Sequence, residues 1–373
     1  MLAYVIPTRN RPERLAATLE ALGALSRHTA QVIVVDNASD VPPRVPVTLA
    51  NGLPTEVVFL NENRGAAARN AGVAAADPAC QWVVMLDDDS HPIDTGFLAA
   101  LAEAPADAAA IAAEITLPEQ GRREAGGLPE VFTGCGVAIR PDAFLAAKGY
   151  DPAFDYYAEE YDLAAKFLLA GHRIMLDRRF RVAHHKVASG RDMNRILRRL
   201  VRNNAWVMQR YAPDDRRRVE LRETIVRYAR IAHLERATPG YLRGLAETAI
   251  TLRRQPRTPM PADLFDRFTG KAYARESLQR AFDAAPFTTA AIVHEGKNAR
   301  HIREAACELG VSLIDDALAA DRLIIGTLSP GPMLDAYERL ITNTDPARVI
   351  APWDVLLAPP QPQVETSAPA QAA

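Results

Sequence analysis

The sequence predicts an α/β protein whose first half is built on a mostly parallel central sheet. Short apolar runs recur early, at residues 3–6, 31–35, 56–60 and 82–86, and none alternates with polar residues. Such runs fit strands buried on both faces, as in parallel sheets. Between them lie helix-like patterns at 12–25 and 65–76, the strand–helix rhythm of an α/β layer. After about residue 190 the character changes: residues 191–257 hold seventeen Arg against seven Asp or Glu.

In this class, ligands sit beyond the carboxyl ends of the strands. The residues following the four runs are all polar: Pro7-Thr8-Arg9-Asn10, Asp36-Asn37-Ala38-Ser39-Asp40, Asn61-Glu62-Asn63-Arg64-Gly65 and Asp87-Asp88-Asp89-Ser90. The last is the strongest signal. Three adjacent carboxylates repel one another unless cations or donors compensate them, and such a cluster can hold a hard divalent ion that bridges to phosphate.

Bulk properties narrow the classes. The 373 residues are 48% hydrophobic and 24% charged, an ordinary globular composition. A formal net charge of -2 gives no global field for nucleic acid, so none is expected as a partner. Cys80, Cys135 and Cys307 have neither metal-site nor disulfide spacing, which suits a reducing cytoplasm. Residues 2–6 lack the basic start and apolar core of a signal peptide, and no run reaches the ~20 apolar residues of a membrane span. A cytoplasmic protein is expected, with any membrane contact peripheral and on the inner face.

Taken in order, Pro7-Thr8-Arg9-Asn10, Val34 to Ser39, Asn63-Arg64-Gly65 with Arg69-Asn70-Ala71-Gly72, and Leu86-Asp87-Asp88-Asp89 resemble the successive motifs of the family 2 glycosyltransferases. The resemblance continues through Thr133-Gly134-Cys135-Gly136, Gly149-Tyr150-Asp151, Glu159 to Leu163 and His184-His185, covering about residues 1–210. It implies a GT-A domain over 1–190 that binds a nucleoside-diphosphate sugar and transfers the sugar, with inversion, to a hydroxyl of a glycan or lipid-linked acceptor. Bacterial polysaccharide synthesis for the cell envelope is the role this suggests.

The resemblance also implies roles. Asp36 would read the base or ribose, with Pro7, Thr8 and Arg9 beside it and Asn63 in the donor loop. Asp87 and Asp89 match the acids of the D-x-D motif, with Asp88 between them; Asp89 is the closer match to a direct ligand of Mn²⁺ or Mg²⁺, and Asp87 lies nearer the ribose. One of His184 and His185 would join the metal or the diphosphate, as neutral imidazole can. Arg64 and Arg69 suit a diphosphate, and equally a surface ion pair. Glu160 matches the base that takes the acceptor proton. The family commonly has Asp there, which leaves Glu159 and Asp162 as competitors, and the same acids could simply cap the helix that follows.

A dinucleotide-dependent oxidoreductase lacks its G-x-G-x-x-G, and a P-loop enzyme its G-x-x-x-x-G-K-[ST]. The rival of another class is a non-catalytic glycosyltransferase-like scaffold that binds nucleotide sugars or glycans. In the basic helical segment, 191–257, Ile196, Leu197, Leu200, Val201, Ala205 and Val207 recur at helical spacing. This stripe reads as a packing face or as an attachment to anionic lipid. A proline-bearing linker at 254–261 precedes a small α/β unit at 262–356, read as a packing or oligomerisation module, and 357–373 reads as a disordered tail.

Overall fold

The computed structural model describes residues 1–186 and 192–357. Strand β1 (Leu2–Thr8) lies between β2 (Ala30–Asp36) and β4 (Trp82–Met85), with β3 (Thr55–Phe59) outside β2, all parallel. Ala3 and Val5 face one apolar layer with Ile33, Val35, Val83 and Met85. Tyr4 and Ile6 face the other, with Val32, Val34 and Val84. Side chains of alternate direction are thus all buried, which is why these strands show no polar alternation. Each fully buried Val or Ile contributes roughly 1.5–3 kcal/mol.

Helix α1 (Pro12–Ala24) begins with a proline, whose fixed φ and missing N–H suit a first turn. Helix α2 (Ala68–Ala75) covers the opposite face and approaches closely because Gly72 has no side chain: a Cβ there would lie 2.4 Å from a Val5 methyl. Next come β5 (Ser90–Pro92), α3 (Phe97–Ala102), β6 (Ala108–Leu117), β7 (Arg122–Arg123), β8 (Val137–Ile139), α4 (Pro141–Ala146), α5 (Glu159–Leu169) and β9 (Arg173–His184). They extend the sheet in the order β3-β2-β1-β4-β8-β6-β9-β5, with β8 antiparallel and β6 parallel to β9. Antiparallel pairing of β5 with β9 sets Ser90 opposite His184. This register brings the end of β9 to the acidic turn.

Helices α6 (Met193–Tyr211), α7 (Arg217–Leu234) and α8 (Thr238–Thr251) follow. Asp192 caps α6 by accepting from the Arg195 amide at 3.1 Å, a contact of about 1 kcal/mol. Leu197, Val201, Ala205 and Val207 are all buried. The apolar stripe of α6 is therefore a packing face. The connector after α8 is tied down: Arg257 donates to the carbonyls of Gln209 and Ala212, and the amides of Thr258 and Met260 bond to Arg210 and Tyr211.

Helices α9 (Ala262–Thr269) and α10 (Lys271–Ala284) lead into β10 (Thr289–Val293), α11 (Ala299–Glu308), β11 (Ser312–Leu313), β12 (Arg322–Ile325), α12 (Pro330–Asn343) and β13 (Val349–Ile350). These strands form a second parallel sheet, ordered β11-β10-β12-β13. The carboxyl ends of its strands meet the loop after β7: Ser329 Oγ donates to the Gly126 carbonyl at 2.7 Å and Lys297 Nζ to that of Gly127 at 3.3 Å. Arg123 reaches Glu114, Asp335 and Glu338. Beyond Leu357, the expected tail lies outside the described residues.

Candidate active site

A cleft of about 640 Å³ opens at the carboxyl ends of β1 and β4, lined by Arg11, Arg69, Asp87, Asp89, Glu160 and His184 among others. The acids of the 87–89 turn divide between two arginines. Asp87 is paired with the buried Arg69, which also donates to the Leu86 carbonyl. Asp88 is buried, accepts from Thr8 Oγ1 at 2.8 Å and from Arg11 at 2.5 Å, and points away from the cleft lining. Burial lifts its carboxyl to about 6 against the pull of Arg11 and Thr8. Asp89 takes the other arm of Arg11 at 2.5 Å and lies 3.3 Å from His184 Nε2. Burial opposes its charge, but the hydrogen bonds from His184 and Arg11 outweigh that and hold it down at about 2.

His184 is the hub on the far wall. Its Nδ1 is 3.1 Å from Glu124 and 3.5 Å from Cys135 Sγ. Burial disfavours the imidazolium, yet contacts with Asp89, Cys135 and Glu124 push it up to about 12. His185 turns elsewhere, with Nδ1 2.7 Å from Glu119 and its ring stacked on His91. The fold thus distinguishes the two histidines that the sequence left equivalent: His184 faces the acids.

The donor set fits a hard divalent ion. Oxygen of Asp87, sulfur of Cys135 and nitrogen of His184 lie within 4.8 Å of one another, and Asp89 adds a carboxylate beside His184. Burial pushes the Cys135 thiol up, so it stays protonated and is a poor ligand. Two carboxylates and an imidazole are the chemistry that Mn²⁺ or Mg²⁺ accepts once the ion takes the place of the His184 proton beside Asp89.

Glu160, at the start of α5, lines the same cleft. Its Oε1 accepts from the Gly134 amide at 3.3 Å. Burial raises its carboxyl above the usual range, while Arg69 pulls the other way. The neighbouring Glu159 is more deeply buried, raised still further, and its Oε2 has no hydrogen-bond partner among the described residues. Asp162 is fully buried and committed to Arg210, Tyr211 and Lys166 at 2.7–2.8 Å. That engagement removes it from competition for a substrate proton.

Residues 4–130 match the family model described as Glycosyl transferase family 2. Those residues form a family 2 glycosyltransferase domain. Sequence likeness to individual relatives is partial: 36% identity over 103 residues to galactofuranosyltransferase GlfT1 of Mycobacterium tuberculosis, covering 26% of this chain and 33% of that protein. An uncharacterized glycosyltransferase of Haemophilus influenzae is 34% identical over 90 residues, or 24% of this chain and 29% of its own. The aligned stretch therefore spans about a third of the curated relatives. Among solved structures, S. aureus TarS 1-349 in complex with UDP superposes with a TM-score of 0.45 at 16% identity, over 83% of this chain and 91% of that one. GalNAc-T7 with UDP, GalNAc and Mn²⁺ gives 0.45 at 16%, over 57% and 48%.

Within this glycosyltransferase domain the first-half expectations take definite positions. Asp36 ends β2 opposite Thr8 in β1 and accepts from the Ser39 amide at 3.1 Å. Arg9 donates to the Ala38 carbonyl, linking the two strand ends, and Pro7 lies within β1. Asn63 accepts from the Gly65 amide, shaping the loop after β3. Arg64 is half exposed and pairs with Glu62 at 3.4 Å; Arg69 is spent on Asp87. Arg64 thus makes a surface ion pair, and Arg69 braces an acid of the cluster. Gly65 itself has φ +58 and would bring a Cβ within 2.3 Å of the Asp155 carbonyl oxygen, so only glycine fits.

Sequence reasoning missed Arg11, which bridges Asp88 and Asp89, and Glu124, which joins His184 and Lys186. A lone arginine before a helix-starting proline is the only sign of the first. Glu124 sits in a loop whose composition carries no periodic signal.

Proposed function

We propose that the protein is an inverting glycosyltransferase that uses a nucleoside-diphosphate sugar and a hydroxyl acceptor on a glycan or a lipid-linked glycan. One observation carries the reading: Glu160, a carboxylate with no ion pair among the described residues, lines the same cleft as Asp87, Asp89 and His184. Attack and departure need those two chemistries on opposite sides of the sugar.

In this reading Asp36, Thr8 and Arg9 hold the nucleoside at the ends of β1 and β2. Asp87, Asp89 and His184 would hold Mn²⁺ or Mg²⁺, which supplies positive charge to the departing diphosphate. Glu160 accepts the proton of the acceptor hydroxyl as its oxygen bonds to the anomeric carbon. The bond from that carbon to the diphosphate oxygen breaks, and its electron pair leaves with the nucleoside diphosphate. Its raised carboxyl makes Glu160 a stronger proton acceptor than a solvated glutamate.

The test is turnover of UDP-, GDP-, CDP- and dTDP-sugars with Mn²⁺, the product read by the anomeric configuration in NMR. Transfer or hydrolysis of one donor with inversion supports the proposal. Saturable nucleotide binding without turnover by the wild type would replace it with the non-catalytic scaffold.

A further inference from the structure

The arginine-rich segment leaves one surface uncovered. On α8, Leu242, Ala246, Ala249 and Ile250 follow helical spacing and are all exposed, Leu242 at 57% and Ile250 at 64%, and Arg253 in the turn just after α8 is exposed as well. Arg243 and Arg254 flank this stripe, also exposed. The preceding turn adds Leu234, 78% exposed, and Arg236, next to an exposed Glu235. The acid of α8, Glu247, turns inward to Arg198 and Arg202. None of Arg236, Arg243, Arg253 and Arg254 has a carboxylate partner among the described residues.

We propose that the outward face of α8, with the α7–α8 turn, is a docking surface for an anionic lipid bilayer. Aliphatic side chains at the centre and unpaired arginines at the margin are what a helix lying in the headgroup layer presents. A nucleic acid would take the arginines but leave Leu234, Leu242 and Ile250 against a charged backbone. The exposed aliphatic side chains among these arginines therefore select lipid. The site is on α8 and not on α6, whose apolar side is already buried.

The placement also has a geometric sense. Leu200 of α6 lines the catalytic cleft, while Arg198 and Arg202 of the same helix hold α8. A bilayer against α8 is thus about two helix layers, on the order of 20 Å, from the cleft. The use of that proximity for a lipid-linked acceptor rests on the transferase reading. The docking itself does not.

Flotation of the full chain with vesicles tests it, with donor turnover measured separately in solution. The wild type should bind phosphatidylcholine vesicles containing about a quarter phosphatidylglycerol, and release from them when salt rises from about 0.1 M to about 1 M. Pure phosphatidylcholine should not retain it. Arg243→Gln/Arg253→Gln/Arg254→Gln should weaken binding about a hundredfold, and Leu242→Ser/Ile250→Ser about tenfold, with unchanged melting. Should either melt early, Leu234→Ser on the exposed turn takes its place. Absence of wild-type binding to the anionic vesicles, or variants that bind as the wild type does, overturns the proposal. Turnover that persists without flotation would overturn docking alone.

Discussion

The amide of Gly134 lies 3.3 Å from Oε1 of Glu160, and this contact holds the carboxylate in the cleft that both residues line. A side chain at 134 would press on the same oxygen, its Cβ 3.3 Å away. Glu160→Gln keeps the shape and removes the basicity. It should lower kcat by about 10²- to 10⁴-fold with little change in nucleotide affinity, measured by calorimetry beside steady-state kinetics. Equal kcat in the variant would remove Glu160 from the reaction.

The Glu159 and Glu160 pair also predicts a pH dependence of stability. Both carboxyls are raised above the usual 4.5, chiefly by burial. A group raised on folding stabilises below its unfolded pKa and loses that contribution as pH climbs through its folded value. The wild type should therefore lose melting temperature as pH rises from about 4.5 toward neutrality more steeply than Glu159→Gln does. Parallel melting curves would contradict it.

Asp162 has a structural task. It anchors Arg210 and Tyr211 of α6 to α5, with no exposed surface. Asp162→Ala leaves Arg210 short of a buried partner and should cost about 3–5 kcal/mol, read by urea denaturation. A cost under ~1 kcal/mol would mean the pair behaves as a surface one.

Asp89→Ala should abolish Mn²⁺ binding detected by calorimetry while the protein still melts cooperatively. Removing one of a few ligands to a divalent ion leaves too few hard donors to hold it. Undiminished Mn²⁺ affinity would move the metal away from this turn.

What could be read from the sequence followed the backbone. Four apolar runs gave β1 to β4, and the polar residues after them gave the acids, because a parallel sheet collects its strand ends on one side. What could not be read depended on long-range packing. Arg11 reaches Asp88 across 77 positions, and His184 reaches Glu124 across 60. His184 and His185 are chemically identical in a sequence; only the pairing of β5 with β9 decides which one turns inward. The stripe on α6 was visible as amphipathic, but its spacing is the same whether protein or lipid covers it.

The loop behind the catalytic cleft is shaped from two places in the chain. Glu124 meets His184 on one side, while its own carbonyl leaves no room for a Cβ at Gly331, 2.3 Å away, at the start of α12. Ser329 and Lys297 fasten the next residues. The C-terminal unit is thus the mould against which that wall of the pocket is cast. Grafting residues 1–257 onto another protein would carry over the acidic turn and leave Glu124 without its backing, so the two ends of this chain are not interchangeable parts.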